Sequence, residues 1–155
     1  MSFDQAAVTT LFDKVQSHAM TLGLFDVVNT HEPPSPPGHG LNASIWVDYM
    51  GPFPAGSGLD ATSGIVTLMC RTYSPAFQAP LDEIDPNLLG ATTALLSAYS
   101  GDFDLGGSAR NIDLLGETGR RLESQAGYVK VGTVMYRCMD IRIPVIINDM
   151  WNMGV

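Results

Sequence analysis

The chain has 155 residues, 45% of them hydrophobic and only 15% charged, and 16 Asp and Glu against 8 Lys and Arg give a net charge of −8. That length predicts a single domain, residues 1–155, with enough core to fold without a disulfide or a metal. The acidic balance argues against tight nucleic-acid binding, which depends on cations that neutralise phosphates, and the longest basic run is the pair Arg120 and Arg121.

Residues 3–22 predict a helix, because Phe3, Val8, Leu11, Phe12, Val15, Ala19 and Leu22 recur at helical spacing. Ser2 is placed to cap its start and Gly23 to end it. Residues 24–30 predict a short strand. The prolines of EPPSPPGHG (32–40) then forbid both helix and central strand. Residues 41–50 predict a second strand, with Ala43, Ile45, Val47 and Tyr49 on one face and Asn42, Ser44, Trp46 and Asp48 on the other. Residues 51–64 are rich in Gly, Pro and Ser and predict a long loop. Residues 65–73 are apolar on both faces where they begin, which predicts a strand near the sheet centre.

A second helix is predicted from Asp85 as cap and Pro86 as first residue, with Leu88, Leu89, Thr92, Leu95, Leu96 and Tyr99 on its apolar face and Gly101 as its stop. Residues 109–115 predict a strand and 116–125 a polar loop. Residues 128–131 and 134–147 predict a hairpin turning at Gly132 and Thr133. In its second strand Met139, Ile141, Ile143, Val145 and Ile147 alternate with mostly polar residues, Ile146 being the exception, so one face should be buried and one wet. The order α-β-β-β-α-β-β-β predicts an α+β fold, an antiparallel or mixed β-sheet with two helices packed on one face.

No residue pattern points to catalysis, a cofactor or a metal, and the expectation is a protein that is not an enzyme. His18, His31 and His39 lack the close spacing of zinc ligands and read as solvated or capping histidines. Asp102-Phe103-Asp104 resembles the start of a calcium loop, but Gly106 stands at the fifth position and Asp113 at the twelfth, so a turn that caps the second helix is expected. Gly56-Ser57-Gly58 is too tightly spaced for a nucleophile elbow, and no Gly cluster precedes the Lys-Ser/Thr of a phosphate loop. Asp82, Glu83 and Asp85 suit the positive end of a helix dipole. The PPSPP segment has no flanking Arg or Lys and reads as a stiff surface loop rather than a polyproline ligand. Cys70 and Cys138 are expected as buried free thiols, with a cross-strand disulfide as the alternative in an oxidising compartment. The start MSFDQAAV lacks a basic n-region and an apolar h-region, and Pro144 interrupts the longest apolar stretch, so neither export nor membrane contact is expected.

The better clue is a set of aromatic, Met and Pro residues with no evident core to enter. Pro52, Phe53 and Pro54 lie in the long loop, Trp46 lies on the polar face of its strand, and Trp151 and Met153 lie beyond the last strand. Aromatic and Met residues are enriched at protein interfaces, so these six are the candidate interface residues.

Several segments, taken in order, carry a family resemblance: Gly23-Leu24-Phe25, His31-Glu32-Pro33, GPFPAGSGLDATS (51–63), DEIDPNLL (82–89), AYSGDFDLGG (98–107), RNIDLLGE (110–117) and AGYVKVGTVMYRCMDIRIPVIINDMW (126–151). Over nearly its whole length the chain resembles the tail terminator proteins of long-tailed, siphovirus-type phages of actinobacteria. The resemblance implies a virion protein, assembled in the bacterial cytoplasm, that forms a ring, typically hexameric, on the end of the tail tube. There it would stop polymerisation of the major tail tube protein and offer the surface that joins tail to head. The implied partners are further copies of itself, the major tail tube protein and a head-completion or connector protein. No catalytic residues come with the family. A head-to-tail connector or head-completion (stopper) protein is the alternative. An acidic subunit suits a conduit, since carboxylates repel phosphates and let DNA pass without specific binding.

Overall fold

The structure is a computed structural model, and it describes residues 3–32, 40–54, 57–58, 60–77 and 81–152. It is an α+β fold in the predicted order, with two helices and one mixed, six-stranded sheet. Helix α1 spans Gln5–Leu22. Its cap is Asp4, whose carboxylate accepts the Ala7 N–H at 3.0 Å; the predicted cap, Ser2, lies outside the described residues. Gly23 closes the helix at φ +66°, a left-handed conformation that glycine reaches without a Cβ clash. Leu11, Val15 and Ala19, four residues apart, form its buried stripe.

Helix α2 spans Ile84–Gly101 and follows a short 3-10 turn, Leu81–Glu83. The helix therefore begins two residues earlier than predicted. The residue before the helix is Glu83, which gives no side-chain cap, and Pro86 is the third helical residue rather than the first. Asp85 still sits in the first turn, where the helix dipole favours it. Leu88, Ala91, Thr92, Leu95 and Tyr99 face inward, while Leu89, predicted on that face, is exposed.

The strands are β1 (Val27–Asn29), β2 (Asn42–Pro52), β3 (Ala61–Pro75), β4 (Asn111–Ile112), β5 (Glu123–Val131) and β6 (Val134–Asn152). The sheet runs β1-β2-β3-β6, with β4 and β5 both paired along the far side of β6; only β1–β2 is parallel. The predicted loop over 51–64 is much shorter, because β2 continues through Pro52 and β3 begins at Ala61. The predicted strand over 109–115 shrinks to two residues, and β5 begins inside the stretch expected to be a polar loop. In both places pairing with the long β6 decides the strand, not the side-chain pattern.

Both helices cover one face of the sheet. Leu11, Val15, Ala19, Leu95 and Tyr99 pack there on Ala43, Ile45, Val66, Leu68, Cys70, Ile141, Ile143, Val145 and Ile147, so the alternation of β6 reads as expected. The opposite face is not simply wet. One end holds a cluster of Tyr73, Val131, Tyr136 and Cys138, and the other holds Phe53, Ile65 and Ile146. Between them lies the Arg71–Asp140 ion pair at 2.7 Å. Cys70 and Cys138 are free, buried thiols in clusters on opposite faces, and burial pushes Cys70 up to about 12.

Candidate assembly interface

Among the described residues, the sheet is open at both borders, and each opening has a definite length. β1 pairs only with Asn42, Ala43 and Ser44 of β2, so residues 45–52 have no strand on their outer side. A β-bulge at Asp48 shifts the register between Val47 and Tyr49. Val47 and Met50 pair with Leu68 and Val66 and so lie on the helix-covered face, yet they are 43% and 48% exposed. The bulge turns Tyr49 to the opposite face, where the Arg120 guanidinium stacks 4.0 Å from its ring centre.

Arg120 is held there by a tightly bonded loop between β4 and β5. The buried Asp113 carboxylate accepts N–H bonds from Gly116, Glu117 and Thr118 and the Thr118 hydroxyl. Burial disfavours its charge, but these donors outweigh burial and hold its pKa below the usual carboxylate value. Leu122 returns an N–H to the Asp113 carbonyl at 3.0 Å and leads into β5.

At the other border β5 pairs with β6 alone. Tyr128, 67% exposed, stacks on Arg137 at 4.6 Å. Arg137 also donates to Asp85 of α2 at 3.0 Å and to the Gly127 carbonyl at 3.2 Å. Beside them, an open apolar groove of about 480 Å³ runs between α2 and the sheet, with Pro86, Leu88, Leu89, Ala126 and Met139 along it. Both borders therefore carry exposed apolar side chains on the same, helix-covered face.

The six candidate interface residues fare differently. Trp46 is half-buried with Arg71 stacked on it at 5.1 Å, and Pro52 and Pro54 are exposed where β2 ends. Trp151 is partly exposed on the last residues of β6, and Met153 lies outside the described residues. Phe53 was expected to have no core to enter. It is 4% exposed, packed on Ile65 and Ile146 with Arg110 at 5.8 Å from its ring. As folded, Phe53 holds the β2–β3 turn against the sheet and is not presented to a partner. The sequence reading did not single out Val47, Tyr49, Met50, Leu89 and Tyr128, which are exposed in the structure. The alternation of β2 had placed Val47 and Tyr49 on one face with Ala43 and Ile45, and nothing in it marks the bulge at Asp48.

Of the carboxylates that looked like a calcium loop, those of Asp102 and Asp113 are engaged in hydrogen bonds within the chain. Asp102 binds His18 at 2.8 Å and the Gly106 N–H at 2.9 Å, and the His18 bond lowers its pKa. His18, expected as solvated or capping, thus ties α1 to the residue that ends α2, and its ring meets Tyr99 edge-on at 5.5 Å. His39 and the PPSPP segment lie outside the described residues. Among the described residues, no three of His, Cys, Asp or Glu are grouped to hold a metal, and no helix is long and apolar enough to cross a membrane.

No protein-family model matches the chain, and no curated protein matches it. Among solved structures it is similar to the sheath/tube terminator of an extracellular contractile injection system (PVC, extended state), at a TM-score of 0.30 and 11% identity. The match covers 96% of this chain and 58% of that one, so this chain spans less than two-thirds of its neighbour's length.

Proposed function

We propose that the protein is a structural, non-enzymatic tail terminator of a long-tailed, siphovirus-type phage. It forms a homohexameric ring on the end of the tail tube, stops addition of the major tail tube protein, and presents the surface to which a head-completion or connector protein docks. The genome passes through the ring without specific binding. Two things support this reading: the resemblance of segments along nearly the whole sequence, and the open, apolar borders of the sheet. The borders are the observation that carries it. They lie on opposite sides of one sheet and differ from each other, so a contact between them is head-to-tail, the kind of contact that closes into rings.

The test is to mix the purified protein with tail tubes assembled without heads. Electron microscopy should show one ring at one tube end, and tube subunits added afterwards should not extend that end. A protein that stays monomeric and leaves tube growth unchanged contradicts the reading. A protein that ignores tubes and binds portals or filled heads is a connector instead.

A further inference from the structure

We propose that neighbouring copies join by strand addition. The free half of β2 in one copy pairs antiparallel with β5 of the next, and Val47 and Met50 pack on Tyr128 and into the groove beside Leu89. This inference rests on the ring reading above and supplies its contact.

Three observations lead to it. The first is length. The uncovered part of β2 (45–52) and β5 (Glu123–Val131) match within a residue, and each is flanked by an element that fixes where pairing must stop. β1 covers β2 before Ile45, and β4 with the Asp113 loop lies before β5. The unpaired backbone groups of such a border are a template for another strand.

The second is direction. β2, β3, β6 and β5 alternate, each antiparallel to the one before. A copy rotated about an axis running broadly along the strands brings its β2 antiparallel to β5, which continues the pattern. The two free stretches are not level. β2 residues 45–52 lie opposite residues 64–70 of β3, whereas β5 lies level with residue 69 of β3 and beyond. Joining them offsets each copy by about six residues, roughly 20 Å, over four strand spacings of roughly 19 Å in all. Strands so offset tilt by about 45° from the ring axis, at the upper end of the tilt that closed sheets adopt.

The third is side-chain agreement: of the offsets of five to seven residues that the two lengths allow, six is the one that keeps the faces aligned. It sets Val47 opposite Tyr128 and Met50 opposite Ala126, all on the helix-covered face. Met50 then enters the apolar groove lined by Leu89, Ala126 and Met139. On the other face Tyr49 comes to lie opposite Gly127, where there is no side chain to obstruct its ring. A second copy is thus the occupant of the groove. Side chains exposed at one border fill the vacant positions of the other, and the apolar faces coincide.

The test is the double variant Met50→Cys with Ala126→Cys, oxidised after assembly. Directly opposed residues in an antiparallel pair bring their Cβ atoms close enough for a disulfide, and the native Cys70 and Cys138 are buried and stay silent. The expected result is a ladder of covalent multimers, reversed by reductant, with neither single variant passing the dimer. A ring of normal mass with no ladder overturns the strand pairing and leaves the ring reading standing. No assembled species, alone or on tail tubes, removes both. A second variant, Val47→Lys, changes an exposed residue and should fold normally. It should raise the concentration needed for half-assembly at least about tenfold, and unchanged assembly contradicts the proposal.

Discussion

The two halves of β2 invert the usual rule. Its first half carries Asn42 and Ser44, both polar and both 0% exposed, while its second half carries Val47, Tyr49 and Met50, apolar or aromatic and more than a third exposed. Hydrophobicity therefore does not set burial along this strand; the neighbours do. The first half is flanked by β1 and β3 and lies between the helix layer and the Tyr73 cluster. The second half has β3 alone. That exposed, more apolar half is the surface to which the proposed contact between copies assigns a partner strand.

The contrast can be broken most forcefully in the covered region. Ile143→Ala removes a fully buried side chain between sheet and helices and should cost about 3–4 kcal/mol in denaturant unfolding of the dilute protein. Val47→Ala, at the open end of the same sheet, should change that measurement by less than about 0.5 kcal/mol. Equal effects would mean that the open half is covered even in the single chain.

The next largest effect concerns the loop that brings Arg120 onto Tyr49. Asp113→Ala leaves four donors without their carboxylate and should cost about 2–3 kcal/mol. The same carboxylate makes stability depend on pH. Its folded pKa lies below its unfolded value, so its contribution is complete above the ordinary carboxylate range and is lost as pH falls through the depressed folded value. The wild type should therefore lose stability on acidification, and Asp113→Asn should flatten that slope. An unchanged slope would show that the loop is held by something other than this charge.

Smaller effects sharpen the first half of β2. Tyr73→Phe deletes the partner of the buried Ser44 hydroxyl, 3.0 Å away, and should cost about 1 kcal/mol. Asn42 is different, for neither atom of its buried amide has a hydrogen-bond partner among the described residues. Asn42→Val should therefore be neutral or stabilise by up to about 1 kcal/mol. A clear loss on that substitution would show that the amide is satisfied in solution.

The legible part of the fold followed from side-chain period. The helical stripe of Leu11, Val15 and Ala19 and the alternation of Ile141, Ile143 and Val145 depend only on which face looks inward. The borders were illegible because they depend on where partner strands stop. β1 ends after three residues, and no feature of residues 45–52 records that. Asp48 reads as one more polar position, yet as a bulge it sends Tyr49 to the other face. Phe53 was misplaced for a related reason. Its cluster is completed by Ile146, the one apolar residue that broke the alternation of β6, so the trace was present in the sequence but 93 positions away. Trp46 was placed correctly on the polar face, where its partner is the Arg71 guanidinium.

The most direct test is amide hydrogen exchange along β2, compared between the dilute single chain and the assembled species. Residues 42–44, already paired on both sides, should exchange slowly and equally in both states. Among residues 47–51, the amides that point away from β3 should exchange quickly in the single chain and slow by at least about a hundredfold on assembly, as edge amides do when they enter a ladder. An assembled species in which those amides exchange as quickly as before would contradict the claim that this border is where copies meet.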